Sequence, residues 1–189
     1  LIDNELIIVT TFIILFGSVC LYFNSTRALT PVTGDANNYV TAAYNISVNN
    51  THSLIHPTIK GGNVLPDAYR EPGWPFLLSI YMGLVYDLDE IDIKQLLREN
   101  YNQLYPLRYL NYFMYLFSCL LVMLIVRKIT KSKRYSYIAM LFSGLSPQLH
   151  HNSLLYLSEN LTSLLILGFS AIFLLSIEKK KYNYFIFAG

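Results

Sequence analysis

Three ionisable residues in this chain stand where chemistry at a membrane face would need them. Asp35 sits in Gly34-Asp35-Ala36-Asn37-Asn38-Tyr39. Arg70 opens Arg70-Glu71-Pro72-Gly73-Trp74-Pro75. Glu159 lies in Leu157-Ser158-Glu159-Asn160. A carboxylate within reach of a hydroxyl can take its proton, or help hold a metal ion. A guanidinium is permanently charged, and its planar fork suits a phosphate. Pro72 and Pro75 stiffen the backbone around Gly73, and Trp74 suits a bilayer interface. Together these residues point to work on a charged, lipid-linked substrate at a membrane surface.

Each residue also has a plainer reading. Asp35 falls near the start of a short helix after Pro31, with Tyr39, Ala43 and Ile46 on a related face. A carboxylate is favourable there as a cap. Arg70 can face lipid headgroups. Glu159 can begin a solvated helix with Ser158 as its cap, although ionisable groups at membrane depth are costly and mark functional sites. His150 and His151 lie one to two turns earlier. Adjacent histidines cannot share one helix face, so at most one, here His150, joins Glu159. Asp35, Glu159 and His150 are therefore the candidate ligands for a divalent Mg or Mn ion. His52 and His56 flank no other ligand types and read as ordinary loop histidines. The stretch Asp87, Asp89, Glu90, Asp92 lacks the glycine and final glutamate of a calcium loop, so it reads as a solvated loop.

The elements that must position these residues are membrane helices. Of 189 residues, 53% are hydrophobic and 14% charged, with mean hydropathy +0.37. A soluble domain carries roughly a quarter charged residues, so the composition is that of a membrane protein. A crossing helix needs about 20 mostly apolar residues. Spans are expected at about 6–24, 107–126, 135–156 and 160–177, with a fifth starting near 182; Pro147 is a candidate break in the third. The apolar segment 76–86 is too short and reads as an interfacial or re-entrant helix. Cys20 and Cys119 both fall in apolar runs and read as small buried hydrophobes. The chain contains no CxxC, GxGxxG or Walker-type loop.

Basic residues set the orientation. Arg127, Lys128, Lys131, Lys133 and Arg134 follow the second span, and Lys179, Lys180 and Lys181 follow the fourth; both loops are expected to be cytoplasmic. The segment 24–106 is then a long extracytoplasmic first loop. In it, Arg27, Lys60, Arg70, Lys94 and Arg98 are outnumbered by Asp35, Asp67, Glu71, Asp87, Asp89, Glu90, Asp92 and Glu99. The N-terminus is expected inside, although Asp3 and Glu5 give no positive signal there. The chain starts at Leu1 and ends inside an apolar run. It reads as the N-terminal part, 1–189, of a larger polytopic protein. The expected fold is all-α, a polytopic helix bundle whose first loop contains short interfacial helices.

The order of these motifs resembles the GT-C glycosyltransferases, especially the family 39-type enzymes that use dolichyl- or polyprenyl-phosphate sugars. Protein O-mannosyltransferases and the bacterial aminoarabinose lipid A transferase belong to that group. The resemblance covers roughly residues 6–180 and rests on four matches in order. A span leads to Gly34-Asp35-Ala36 with Tyr39. Arg70-x-Pro72-Gly73-Trp74-Pro75 leads into an apolar helix. Leu107-Arg108-Tyr109-Leu110-Asn111 opens the next span, which ends in a basic turn. Ser146-Pro147 is followed by Leu157-Ser158-Glu159 and a further span. The acidic, amide-rich stretch between Asp87 and Tyr105 departs from the pattern.

The resemblance implies an inverting sugar transfer on the extracytoplasmic face of a bacterial or archaeal plasma membrane, or of the endoplasmic reticulum in a eukaryote. Asp35 would be the catalytic carboxylate and Arg70 the contact to the donor phosphate. Glu159 would complete the acidic site. The implied partners are a lipid-phosphate-linked sugar and membrane lipids, with an unidentified acceptor and no nucleic acid. Two other classes compete. A transporter or flippase would place ionisable residues inside its spans, and these spans carry almost none. A non-catalytic assembly subunit would use the acids as caps and the Pro-Gly turn as mere structure.

Overall fold

A computed structural model describes residues 4–26, 34–55, 64–67, 70–88, 90, 93, 97, 105–153 and 158–179. They form α1 (Asn4–Thr26), α2 (Asp35–Asn49), α3 (Gly73–Val85), α4 (Tyr105–Thr130), α5 (Lys133–Gly144), α6 (Pro147–Ser153) and α7 (Glu159–Lys179). Among the described residues there is no strand. Helices α1, α4 and α7 are long and apolar enough to cross a membrane, which marks the chain as a membrane protein. They match the first, second and fourth expected spans. The fifth, from about 182, lies outside the described residues.

The expected span 135–156 is split. Helix α5 has 12 residues, a length of about 18 Å. It stops at Gly144, and α6 starts again at Pro147. Proline has no N–H to continue a helix and crowds the turn before it, so it starts a helix better than it extends one. Residues 154–157 lie outside the described residues.

The residues fall into two compact units, one of 1–25, 112–153 and 159–189, the other of 26–111 and 154–158. In the first unit, α1 is apolar on every side, as a helix in lipid is; Leu6, Ile14, Leu15 and Leu21 are exposed, whereas Phe12, Phe16 and Cys20 are buried. Glu5 at the start of α1 pairs with Arg127 near the end of α4 and, at 3.3 Å, with Lys133 at the start of α5. A Cβ on Gly17 would lie 3.9 Å from Leu116, so α1 and α4 run antiparallel. The acid that gave no orientation signal is thus tied to the basic turn. That turn forms because Lys131 takes a left-handed φ of 55° and the Ser132 side chain caps α5 by accepting the Tyr135 N–H. The Tyr115 hydroxyl donates to the Gly144 carbonyl. Gly144 faces the α1 aromatics so closely that a Cβ would lie 2.9 Å from atoms of Phe12 and Phe16. Cys20 and Cys119 are buried and free, as small hydrophobes would be. Phe117, Leu121, Leu164 and Phe169 line an apolar groove of about 700 Å³ between α4 and α7.

The second unit packs α2 against α3. Val40, Ala42, Ala43 and Tyr44 of α2 and Trp74, Leu78 and Met82 of α3 are buried in this unit. Ser47 donates to the Ser79 carbonyl at 3.0 Å and joins the helices by a polar bond. Trp74, suited by type to a bilayer interface, is 1% exposed and belongs to this core instead. Helix α3 has 13 residues, about 20 Å, and is the short apolar helix expected near 76–86. Asn50 closes α2 at φ 51°, and the buried Asn45 donates to the Ser53 and Ile55 carbonyls at 2.8 and 2.9 Å, folding the following strand of chain back.

Gly34 starts α2 at φ 58° and ψ −132°, a conformation that glycine adopts without the Cβ penalty. A Cβ there would meet nothing within 4 Å, so the cost of a side chain is purely conformational. Gly34→Ala is expected to lose about 1–3 kcal/mol of stability. A thermal midpoint unchanged in detergent or nanodiscs would contradict this.

Candidate functional site

Gly34 turns the chain so that Asp35 becomes the first residue of α2 rather than its cap. No side chain caps this helix. The Asp35 carboxylate instead receives a hydrogen bond from Arg70 Nη2. One turn on, at the i+4 position that shares its face, stands Tyr39. The Arg70 guanidinium lies over that ring, with Cζ 5.7 Å from the centroid. Arg70 therefore meets a carboxylate and an aromatic face on one side of one helix. Such a cation–aromatic contact contributes about 0.5–1 kcal/mol at an exposed site. The Asp35 side chain is 53% exposed and that of Arg70 21%, so the pair is open to solvent. A ligand can reach it.

Glu71 follows Arg70 and reaches the other end of Tyr39. The phenol donates to Glu71 Oε1. The Ser158 hydroxyl donates to the same oxygen at 3.2 Å and lies 3.3 Å from the phenol oxygen. Tyr39 is 4% exposed, so its ring is a fixed post. Two consecutive residues divide around it, Arg70 on the face and Glu71 at the hydroxyl. Three distant segments, 35–39, 70–71 and 158, meet in the second unit.

The titration of the cluster follows from these bonds. The Tyr39 hydroxyl holds the Glu71 carboxyl below its ordinary value. Burial first, and then the Glu71 partner, raise the Tyr39 phenol, so it remains the donor at neutral pH. Glu71 has its pKa lowered on folding, so its stabilising contribution is present above the unfolded value of 4.5. That contribution is lost as pH falls through the lowered folded value. Tyr39→Phe removes the donor but keeps the ring under Arg70. It is expected to raise the Glu71 pKa towards 4.5, read by NMR titration of carbon-13 labelled glutamate carboxylates. An unmoved Glu71 titration would contradict the hydrogen-bond assignment.

Asp35 and Arg70, each a candidate from the sequence, are thus brought together. Glu159 is the first residue of α7 and exposed. It falls in the first unit, whereas Ser158, expected as its cap, falls in the second and gives its hydroxyl to Glu71. His150 belongs to α6, and its side chain lies outside the described residues. So do His56, Asp89 and Asp92. Glu90 N–H donates to the Asp87 carbonyl at 3.1 Å in a simple turn.

Of the expected ligands for a divalent metal, Asp35 is engaged by Arg70, Glu159 is exposed at the start of α7, and the side chain of His150 lies outside the described residues. Asp35 shares its carboxylate with Arg70, a cation that an incoming metal ion would have to displace. Among the described residues no three His, Cys, Asp or Glu side chains gather as a metal-binding group.

Sequence reasoning passed over Glu71, Ser158 and His52. Glu71 had a signal, an acid beside the candidate phosphate-binding arginine. Ser158 had none, because nothing local ties it to residue 39. His52 was set aside for want of neighbouring ligands. Its Nδ1 lies 2.9 Å from the Asp67 carbonyl oxygen, and its Nε2 is shielded from solvent with no hydrogen-bond partner. No protein-family model, curated protein or solved structure matches the chain.

Proposed function

We propose that the protein is a membrane glycosyltransferase that moves a sugar from a polyprenyl- or dolichyl-phosphate donor to an acceptor hydroxyl on the extracytoplasmic face. The observation that carries this reading is the exposed Asp35–Arg70 pair seated on Tyr39. It joins a group that can take a proton to a group that can hold a phosphate.

Arg70 binds the donor phosphate, exchanging the Asp35 carboxylate for phosphate oxygens. The exchange frees Asp35 for the acceptor. Asp35 takes the acceptor proton as the acceptor oxygen attacks the anomeric carbon, on the face opposite the phosphate. The bond from that carbon to the phosphate oxygen breaks, and the electron pair leaves with the polyprenyl phosphate. The leaving group gains negative charge as this happens, and a preorganised guanidinium stabilises it. Tyr39 and Glu71 keep Arg70 and its backbone in place. The lipid tail stays in the bilayer, and the open site receives the headgroup.

The test supplies membranes containing the protein with labelled polyprenyl-phosphate sugars. Label is expected to leave the polyprenyl lipid and appear in a lipid, glycan or protein product with inverted anomeric configuration. Solute or lipid movement across vesicles without sugar transfer would instead establish a transporter.

A further inference from the structure

Helices α4 and α7 carry matching stripes. In α4, Phe117, Leu121, Leu124 and Lys128 follow one another by three or four residues and so share a face. In α7, Leu164, Gly168, Ala171 and Leu175 do the same. Between the two stripes lies the apolar groove of about 700 Å³. A smaller cavity of about 140 Å³ shares Leu124, Ala171 and Leu175 with it and reaches Lys128. The two make one groove, apolar along its length and cationic at one end.

The length of the groove decides what fits it. Eleven residues take α4 from Phe117 to Lys128, and eleven take α7 from Leu164 to Leu175, about 17 Å of helix in each case. The hydrocarbon of one leaflet is half of a bilayer core of about 30 Å. A neighbouring membrane helix would need a seam through both leaflets, whereas a single acyl chain needs only one.

The charge decides which lipid. Lys128 belongs to the turn that also holds Arg127, Lys131, Lys133 and Arg134. Glu5 engages Arg127 and Lys133, while Lys128, Lys131 and Arg134 are exposed. Lys179, one turn beyond Leu175, is the last residue of α7. A lysine at the end of a membrane helix lays its stem along apolar surface and keeps its ammonium among the headgroups. Basic pockets between membrane helices accept anionic headgroups.

We propose that this groove is a binding site for an anionic phospholipid of the leaflet on the side of the basic turn. One acyl chain lies between α4 and α7, and the phosphate meets Lys128. The site uses none of the residues around Asp35 and Arg70, and it does not depend on the transferase reading.

The experiment places the protein in nanodiscs made of equal parts phosphatidylglycerol and phosphatidylcholine. Lipids that stay bound after release into detergent are counted by native mass spectrometry. The wild type is expected to keep phosphatidylglycerol in preference to phosphatidylcholine. Gly168 lines the groove, and a Cβ there would meet nothing within 4 Å. Gly168→Leu therefore fills the groove without a clash at its first atom, and less of either lipid should stay bound. Lys128→Gln should lower the preference about fivefold, the effect of one basic residue at an anionic surface. Arg134→Gln, in the same turn but outside the groove lining, should leave the preference nearly unchanged. Equal losses from Lys128→Gln and Arg134→Gln would show diffuse surface charge and overturn the site. So would a Gly168→Leu protein that keeps its lipid, or a wild type that keeps none because another helix fills the groove.

Discussion

Asp35→Asn is expected to slow sugar transfer by roughly 10²–10⁴-fold, the contribution of a positioned acid–base group, while the protein still inserts and accumulates. The amide keeps the size of the carboxylate but cannot take the acceptor proton. The ion pair adds a sharper expectation. In the wild type Asp35 already occupies Arg70, so a donor phosphate must compete with it. Asparagine competes less well for a guanidinium. The variant should therefore bind sugar-free polyprenyl phosphate at least as tightly as the wild type, although it no longer turns over. Weaker phosphate binding would mean that Asp35 helps hold the donor, as a metal ligand would. The stability cost should be small, because exposed ion pairs contribute only about 0–1 kcal/mol.

Arg70→Gln is expected to act in the opposite way, by losing the donor. Hydrogen bonds to charged groups contribute about 1.5–3 kcal/mol, so affinity for polyprenyl phosphate should fall roughly 10–150-fold. Lipid binding in nanodiscs reads this directly. Arg70→Lys should fall between the two. Lysine keeps the charge but loses the planar fork and much of the stacking on the Tyr39 ring. Equal binding by all three proteins would show that Arg70 does not touch the phosphate. A collapse in stability of Arg70→Gln would show instead that the ion pair holds the fold. The half-exposed geometry of Asp35 argues against that outcome.

The long apolar helices were legible because their signal is local: twenty residues of the same character define α1, α4 and α7. Helix α3 was legible as a short apolar run behind a Pro-Gly turn. The break at Pro147 was visible as a residue type, yet its result, two short helices in place of one span, depends on how the chain packs around Tyr115 and Gly144. Trp74 was misplaced because an aromatic suits an interface and a core equally well, and only the packing of α3 on α2 decides. Asp35 and Arg70 each announced themselves by neighbouring residues. Their pairing crosses 35 positions, and that of Tyr39 with Ser158 crosses 119, which no spacing rule in a single sequence reaches.

The central claim is that Asp35 and Arg70 form the transfer site for a lipid-phosphate sugar. Its most direct test follows labelled sugar out of the polyprenyl-phosphate pool in membranes holding equal amounts of wild type or Asp35→Asn. Label reaching an acceptor with the wild type, and remaining on the lipid with Asp35→Asn, is the predicted result. Equal transfer by both proteins would contradict the claim, as would a wild type that moves no sugar from any donor in a broad panel.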